Sequence, residues 1–378
     1  MKFLKFLSCV LTLTALLALC GCDAAKPEGA AADFRVISLM TWNVHNLFDG
    51  KDDGCEYAEF QQASGWSAEK YKGRLNNISA AVNSIDPLPD IIVFQEIESF
   101  DVLKDLAVAL SDTYSWSHFA NNPESGIGLG LISRFEILEG KSHSISIKGE
   151  VTPRPVLEAR ILAGEEEIII FACHWKSKIG GDEATENVRM ASARVILRRI
   201  RDIFKNEPEI GVIIAGDLNE NYDEFFRRGS SPICALLPDD IKSSQIVMQM
   251  PAYFTAQPPA PEAGETNAAE LFTQKDFIVI NGNMPPLPVH FPKETIVLFS
   301  PWMSELEFGS YYYKGNWETI DHFLISHHFF NNTGLEYESA FVADFEPFAN
   351  HDGIPVSYSQ RTGNGLSDHL PLMIYLKY

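Results

Sequence analysis

Short apolar runs alternate with amphipathic stretches along most of the chain, the pattern of strands interleaved with helices. FRVISLMTWN (34–43), DIIVFQE (90–96), GLGLISRF (128–135), LEARIL (157–162), EIIIFACH (167–174) and the run around Val212–Ile214 predict strands, several with the continuous hydrophobicity of a sheet covered on both faces. Tyr71, Leu75, Ile78, Val82 and Ile85 recur in steps of four and three, which predicts a helix with one apolar face. Ser99 is placed to cap a second helix, buried through Val102, Leu103, Leu106 and Leu110. A third, over roughly 183–205, carries Val188, Ala191, Val195, Ile200 and Ile203 on its expected apolar side, with Arg194, Arg198, Arg199 and Arg201 as a solvated face.

Past residue 230 the pattern loosens. Nine of the 21 prolines lie between Pro251 and Pro301, so the segment 230–316 is expected to be loop-rich, with the character of an insertion. It ends in the aromatic group Tyr311, Tyr312, Tyr313 and Trp317. Regular structure is expected to resume with ETIDHFLIS (318–326) and to close with SDHLPLMIYLKY (367–378).

The N-terminus follows other rules. Lys2 and Lys5 precede an apolar run, Leu11 to Leu19, that is short for a membrane span and reads as a secretory signal. Leu19-Cys20-Gly21-Cys22 resembles a bacterial lipobox, with Cys22 as the residue that receives lipid. That resemblance divides the chain into a signal peptide (1–21), a flexible tether (22–33, ending in DAAKPEGAAAD) and an exported body (34–378) anchored to a membrane; ordinary cleavage near Ala25 is the alternative.

Composition narrows the classes further. A chain of 378 residues that is 46% hydrophobic can bury a large core. The formal net charge of −21 argues against a general clamp for phosphate backbones, which carries a basic face, and suits recruitment of divalent cations. Outside the signal region only Cys55, Cys173 and Cys234 remain, without metal-type spacing. Cys173 beside His174 reads as a small buried hydrophobe rather than a thiol nucleophile. EGKS (139–142) lacks the earlier glycine of a phosphate loop, and neither GxSxG nor HExxH occurs.

Candidate chemistry collects at strand ends, where sites converge in sheet proteins. Asn43 follows the first strand, Glu96 the second and His174 the EIIIFACH strand; Asp217 and Asn219 follow the Val212–Ile214 run. Asp321 sits in a later strand, and Asp368 and His369 precede the last. Each alone has a plainer reading as a cap, a turn or a core histidine. Together they suit phosphoester hydrolysis. Mg²⁺ takes oxygen ligands, and Asn43, Glu96 and Asp368 are suitable in type. Asp217 can orient or deprotonate water, and Asn219 can hold a phosphate oxygen. His174 and His369 can donate to the phosphate, with Asp321 keeping His369 charged and oriented.

In this order, WNVHNLFD, FQEIE, SRFEI, HWKSK, GDLNE, IDHFLIS and SDHLPL resemble the endonuclease/exonuclease/phosphatase superfamily, the group of deoxyribonuclease I. The resemblance runs from about 34 to 378 and is weakest across 230–316. It implies an α/β fold, a four-layer α/β sandwich of two mixed β-sheets packed face to face with helices on the outside. It also implies metal-dependent phosphoester cleavage, with Glu96 as main metal ligand, Asn43 and Asp368 near the metal, and Asp217, Asn219, His174 and the Asp321–His369 pair around water and phosphate. His45 departs from the family, standing where related bacterial sequences often carry an acid or amide.

On these grounds a divalent-metal-dependent nuclease is expected, monomeric, using Mg²⁺ or Mn²⁺ with Ca²⁺ in support, and acting on DNA or RNA outside the cytoplasm. A sphingomyelinase-like enzyme acting on phospholipid head groups stays open, encouraged by the anchor and by Trp302, Tyr311–Tyr313 and Trp317, which suit a core as well. So does a small phosphate-ester phosphatase. The non-catalytic alternative, a surface-binding lipoprotein that keeps the fold, would be favoured by loss of a metal or water-handling residue, and none is lost.

Overall fold

The computed structural model describes residues 36–227, 235–236, 244–249, 277–282, 295–303, 305–306 and 308–378. The expected signal peptide and tether, with Cys22, lie outside these, as does much of 230–316.

Two large mixed sheets form the body. In spatial order the first runs Glu336–Val342, Leu372–Lys377, Val36–Leu47, Ile91–Ile97, Gly128–Ser133 and Trp116–Ala120. The second runs Ser244–Gln249, Phe277–Gly282, Ile296–Ser300, Asp321–Ser326, Gly211–Asp217, Glu166–His174, Val156–Ala163 and Ile137–His143. Each has parallel strands at its centre: Val36–Leu47 beside Ile91–Ile97, and Glu166–His174 beside Gly211–Asp217. Parallel strands need burial on both faces, which explains their unbroken apolar runs.

Side-chain alternation divides the residues among three cores. Ile37, Leu39, Ile91 and Val93 meet Leu157, Ala159, Ile170, Ile213 and Phe323 between the sheets. Met40, Trp42, Ile92 and Phe94 face the other way, under the helices Ala68–Val82 and Phe100–Leu110. Ile169, Phe171, Val212 and Ile214 pack under the helix Asp182–Asn206. Helix, sheet, sheet, helix: this is the expected four-layer sandwich. The capping serines Ser67 and Ser99 accept hydrogen bonds from Lys70 and Val102 as their positions require.

Three expectations need correction. The long helix buries Met190, Ala193, Ile196, Leu197, Ile200 and Ile203, whereas Val188, Ala191 and Val195 are only half-buried. The covered face of this helix also carries Arg189, buried and paired with Glu186 and Glu220. Of its arginines, Arg199 is not merely solvated but holds Glu158 through two hydrogen bonds of 2.8 and 2.9 Å. The stretch 230–316 is more than loop: Ser244–Gln249, Phe277–Gly282 and Ile296–Ser300 extend the second sheet as three parallel strands. The segment Glu139–Ser142, rejected as a phosphate loop from its sequence, lies in the edge strand Ile137–His143.

Candidate active site

Three adjacent strands of the second sheet bring His174, Asp217 and Asp321 into one row. Asp217 is in register with His174 across the parallel pair and with Asp321 across the antiparallel one. Alternation aims all three into the space between the sheets, since Ala172, Ala215 and Phe323, two positions away on each strand, lie in that core. Asn43 comes from the first sheet by the same rule, on the face of Ile37 and Leu39. Glu96 does not obey it. Strict alternation would send it outward with Ile92 and Phe94, but the strand register slips between Gln95 and Ile97, and Glu96 has φ of 66°. That bulge re-aims the carboxylate toward Asn43.

The contacts then close across the cleft. Asn43 Nδ2 donates to Glu96 Oε1 at 3.1 Å and to Asp217 Oδ2 at 3.2 Å. His174 Nε2 lies 3.5 Å from Glu96 Oε1 and 3.6 Å from Asp217 Oδ2. His369 Nδ1 donates to Asp321 Oδ2 at 2.8 Å, leaving Nε2 4.0 Å from Asp217 Oδ2. The Asn219 backbone N–H donates to Asp217 Oδ1 at 2.9 Å, and its side-chain amide donates to the Trp175 carbonyl at 3.2 Å with one hydrogen to spare. Asn43, His174, Asp217, Asn219, Asp321 and His369 are all buried. Asp368 is only half-buried, on the rim, with Oδ1 3.7 Å from Nδ1 of His45.

Backbone strain concentrates here. His45, Asn46, Glu96 and Asn219 all have positive φ, between 51° and 66°, at the ends of strands that supply the site. Buried Arg74 pins the first of these turns by donating to the carbonyls of Val44 and His45, and its guanidinium lies 4.1 Å from the Tyr358 ring centre. Gly216 is a close-approach position: a Cβ there would stand 2.0 Å from the Cys173 carbonyl oxygen.

Several supporting residues were not among the candidates, although Trp42 and Ser367 stand in the motifs WNVHNLFD and SDHLPL. Trp42 Nε1 donates to the His369 carbonyl at 2.9 Å, and Trp302 Nε1 to the Asp321 carbonyl at 3.0 Å. Ser310 Oγ donates to Asp321 Oδ2 at 2.6 Å, and Ser367 Oγ to the Asn43 carbonyl at 2.6 Å. Arg154 donates to the Trp175 carbonyl beside the cleft. For Trp302 the only sequence signal is general, that a buried indole N–H needs an acceptor. Tyr311, from the aromatic group, lies against His369 with ring centres 4.6 Å apart. Trp302 is thus core, and Trp317 is half-buried against the outer core of the first sheet.

Electrostatics separate the two histidines. Burial holds His174 well below the ordinary imidazole range, and the charges of Arg154, His369 and Lys176 reinforce this, so it is neutral. Burial also opposes charge on His369, but the Asp321 charge and hydrogen bond outweigh it and raise its pKa to about 10. Asp217 is pushed up to about 7 by burial and by neighbouring Asp321, in the range where a carboxylate works as a base at neutral pH. Burial draws the Arg154 guanidinium down, with Glu96 and Asp217 opposing. Cys173 is buried and its thiol raised by burial, which makes it inert as a nucleophile.

Two oxygen-rich groups bear on metal binding. Asp217, Asp321 and His369 offer ligand atoms within 4.8 Å of one another. Yet His369 keeps its proton, and a protonated imidazole has no lone pair for a metal. Glu96 fits a cation better. It faces the cleft half-buried, and among the described residues its basic neighbour within 4 Å is the neutral His174 alone. Asn43 Oδ1 and Asp368 add oxygen donors of the kind hard divalent cations take.

A family model described as "Endonuclease/Exonuclease/phosphatase family" matches residues 38–229, half of the chain. No curated protein matches. Among solved structures, an endonuclease/exonuclease/phosphatase family protein from Bacteroides thetaiotaomicron is similar at 15% identity and a TM-score of 0.46, covering 92% of this chain and 96% of its own. Truncated Caenorhabditis elegans TDP2 gives 13% and 0.47 over 91% and 98%. The human Nocturnin catalytic domain with bound sulfate gives 17% and 0.44 over 91% and 96%.

Proposed function

The chain belongs to the endonuclease/exonuclease/phosphatase family of phosphoester hydrolases, and from that premise we propose that it is a divalent-metal-dependent phosphodiesterase acting on nucleic acid outside the cytoplasm. The observation that carries the chemistry is the row His174–Asp217–Asp321, closed by His369 on one side and by Asn43 and Glu96 on the other.

Glu96, Asn43 and Asp368 would hold the cation, Mg²⁺ or Mn²⁺. When bound, it supplies Lewis-acid stabilisation of charge on the phosphate oxygens. Asp217 takes the proton of the attacking water as its oxygen bonds phosphorus and the scissile P–O bond breaks, the leaving oxygen taking a proton from solvent; the Asn43 and Asn219 hydrogen bonds hold the Asp217 carboxylate in place. Charged His369 points Nε2 toward the same space and donates to a phosphate oxygen, its orientation set by Asp321. Neutral His174 can donate from Nε2 without adding charge, and the free Asn219 amide hydrogen gives a further donor.

The choice of nucleic acid rests on the family's nuclease branch and on an acidic body that suits a cation-assisted degrader more than a tight duplex binder. Placement outside the cytoplasm, with an anchor at Cys22, rests on the N-terminal sequence. The test is hydrolysis by purified protein of DNA, RNA, sphingomyelin and inositol phosphates with Mg²⁺, Mn²⁺ or Ca²⁺. Activity on DNA or RNA that stops with chelator is expected. Equal activity without metal would overturn the mechanism, and activity confined to lipid or inositol phosphates would overturn the substrate.

A further inference from the structure

An aromatic ladder climbs out of the cleft from the charged histidine. Tyr311 lies against His369 with ring centres 4.6 Å apart and planes at 32°. Tyr313 stacks on Tyr311 at 6.0 Å and 15°. The first rung is buried, the second half-buried and the third 52% exposed. Tyr313 thus ends the stack with much of its ring in water, where an aromatic face can meet a planar ligand.

The ladder is fixed rather than draped. Tyr311–Tyr313 and Asn316–Glu318 form a hairpin, and Tyr311 bridges directly to His369 as an extra strand pair. Leu370 N–H donates to the Ser310 carbonyl at 2.7 Å, and Ser310 Oγ holds Asp321. At the other end Asn221 Nδ2 reaches Glu318 Oε2 at 2.5 Å, and Tyr312 packs edge-on against Trp317 at 5.0 Å. The hairpin tip carries Lys314, whose Nζ lies 4.9 Å from the Tyr313 ring centre. Lys314 lies over the ring itself, so a base that stacks on that face displaces the long, flexible side chain, which is then free to meet a phosphate. Aromatic face plus nearby cation is the combination that receives an unpaired base and the next phosphate of a single strand.

We propose that Tyr313 is a stacking platform for an unpaired nucleobase adjacent to the scissile phosphate, with Lys314 meeting the following phosphate, so that single-stranded nucleic acid is the preferred substrate. The proposal rests on the nuclease reading above and specifies its substrate class. Tyr313 acts in binding and discrimination. Duplex bases present no free face to the ring, and head groups without a planar ring gain nothing from it.

The experiment compares the purified wild-type chain with Tyr313→Ala and Tyr313→Phe. Substrates are a short single-stranded oligonucleotide, the same strand with an abasic tetrahydrofuran unit beside the cleaved bond, and its duplex. Stacking contributions seen in alanine substitutions correspond to about a 5- to 100-fold rise in KM for Tyr313→Ala on the intact strand, mostly sparing kcat, with Tyr313→Phe close to wild type. The abasic strand should cost the wild-type enzyme a comparable factor and the alanine variant much less, because the two changes remove one contact. Equal losses by Tyr313→Ala on the intact and abasic strands, or a KM within about twofold of wild type on the intact strand, would overturn the platform while leaving the nuclease reading standing. A wild-type enzyme inactive on every strand would overturn both.

Discussion

Asn43, within the strand Val36–Leu47 of the first sheet, donates its side-chain amide to Asp217, the last residue of the strand Gly211–Asp217 in the second, across 3.2 Å. The same amide also reaches Glu96 at 3.1 Å, so one side chain ties the carboxylate suited to the metal to the carboxylate suited to the water. Neither sheet holds the site alone.

That division of labour is measurable. Glu96→Gln should raise the metal concentration for half-maximal rate by at least about tenfold, the scale on which metal sites lose affinity when a partner is removed, and excess metal should recover part of the rate. Asp217→Asn should leave metal affinity nearly intact and lower the maximal rate about 10²- to 10⁴-fold, beyond rescue. The readout is rate against metal concentration for both variants. Equal rescue of the two would show the roles to be misassigned.

His369 and Asp321 should behave as one unit. His369→Ala is expected to lower kcat about 10²- to 10³-fold, the usual loss when one donor to a developing anion is removed. Asp321→Asn should cost less, and the double variant should be no slower than His369→Ala by more than a few-fold. Multiplying effects would mean that Asp321 works through something other than the histidine.

Glu158 gives a prediction about stability far from the chemistry. Burial raises its pKa, but hydrogen bonds from His143 at 2.6 Å and from Arg199 at 2.8 and 2.9 Å win, and hold it at about 2. A depressed carboxyl stabilises the fold above its unfolded pKa and loses that contribution as pH falls through the folded value. Glu158→Gln should therefore cost about 2–3 kcal/mol at neutral pH and nothing extra near pH 2. Denaturant melts of wild type and variant between pH 2 and 7 should converge at the acid end. Curves that stay parallel would show the network to be of no consequence.

Cys22→Ser should abolish lipid labelling of the exported chain. Metabolic labelling with a fatty-acid analogue checks it, and labelling that persists would move the anchor to Cys20 or elsewhere.

The sequence by itself determined the central strands, because a run covered on both faces must be apolar throughout, but not edge strands such as Trp116–Ala120 and Glu336–Val342. It marked Asn43, Glu96, His174, Asp217, Asn219, Asp321, Asp368 and His369 as polar residues where such runs end. It also carried the ordered motifs of the resemblance, of which WNVHNLFD through GDLNE fall within the family match over residues 38–229. Tertiary structure alone decided what those ends face. Periodicity shows that a side is covered but not by what, so the register that sets His174, Asp217 and Asp321 in a row could not be read from spacing. Glu96 turns inward through a bulge that breaks the alternation. Trp42, Arg74, Arg154, Trp302 and Ser310 support the site through contacts whose partners lie far along the chain or belong to the backbone. Arg189 in the long helix is likewise polar by type but buried and neutralised by Glu186 and Glu220, a pairing that only the folded chain assembles.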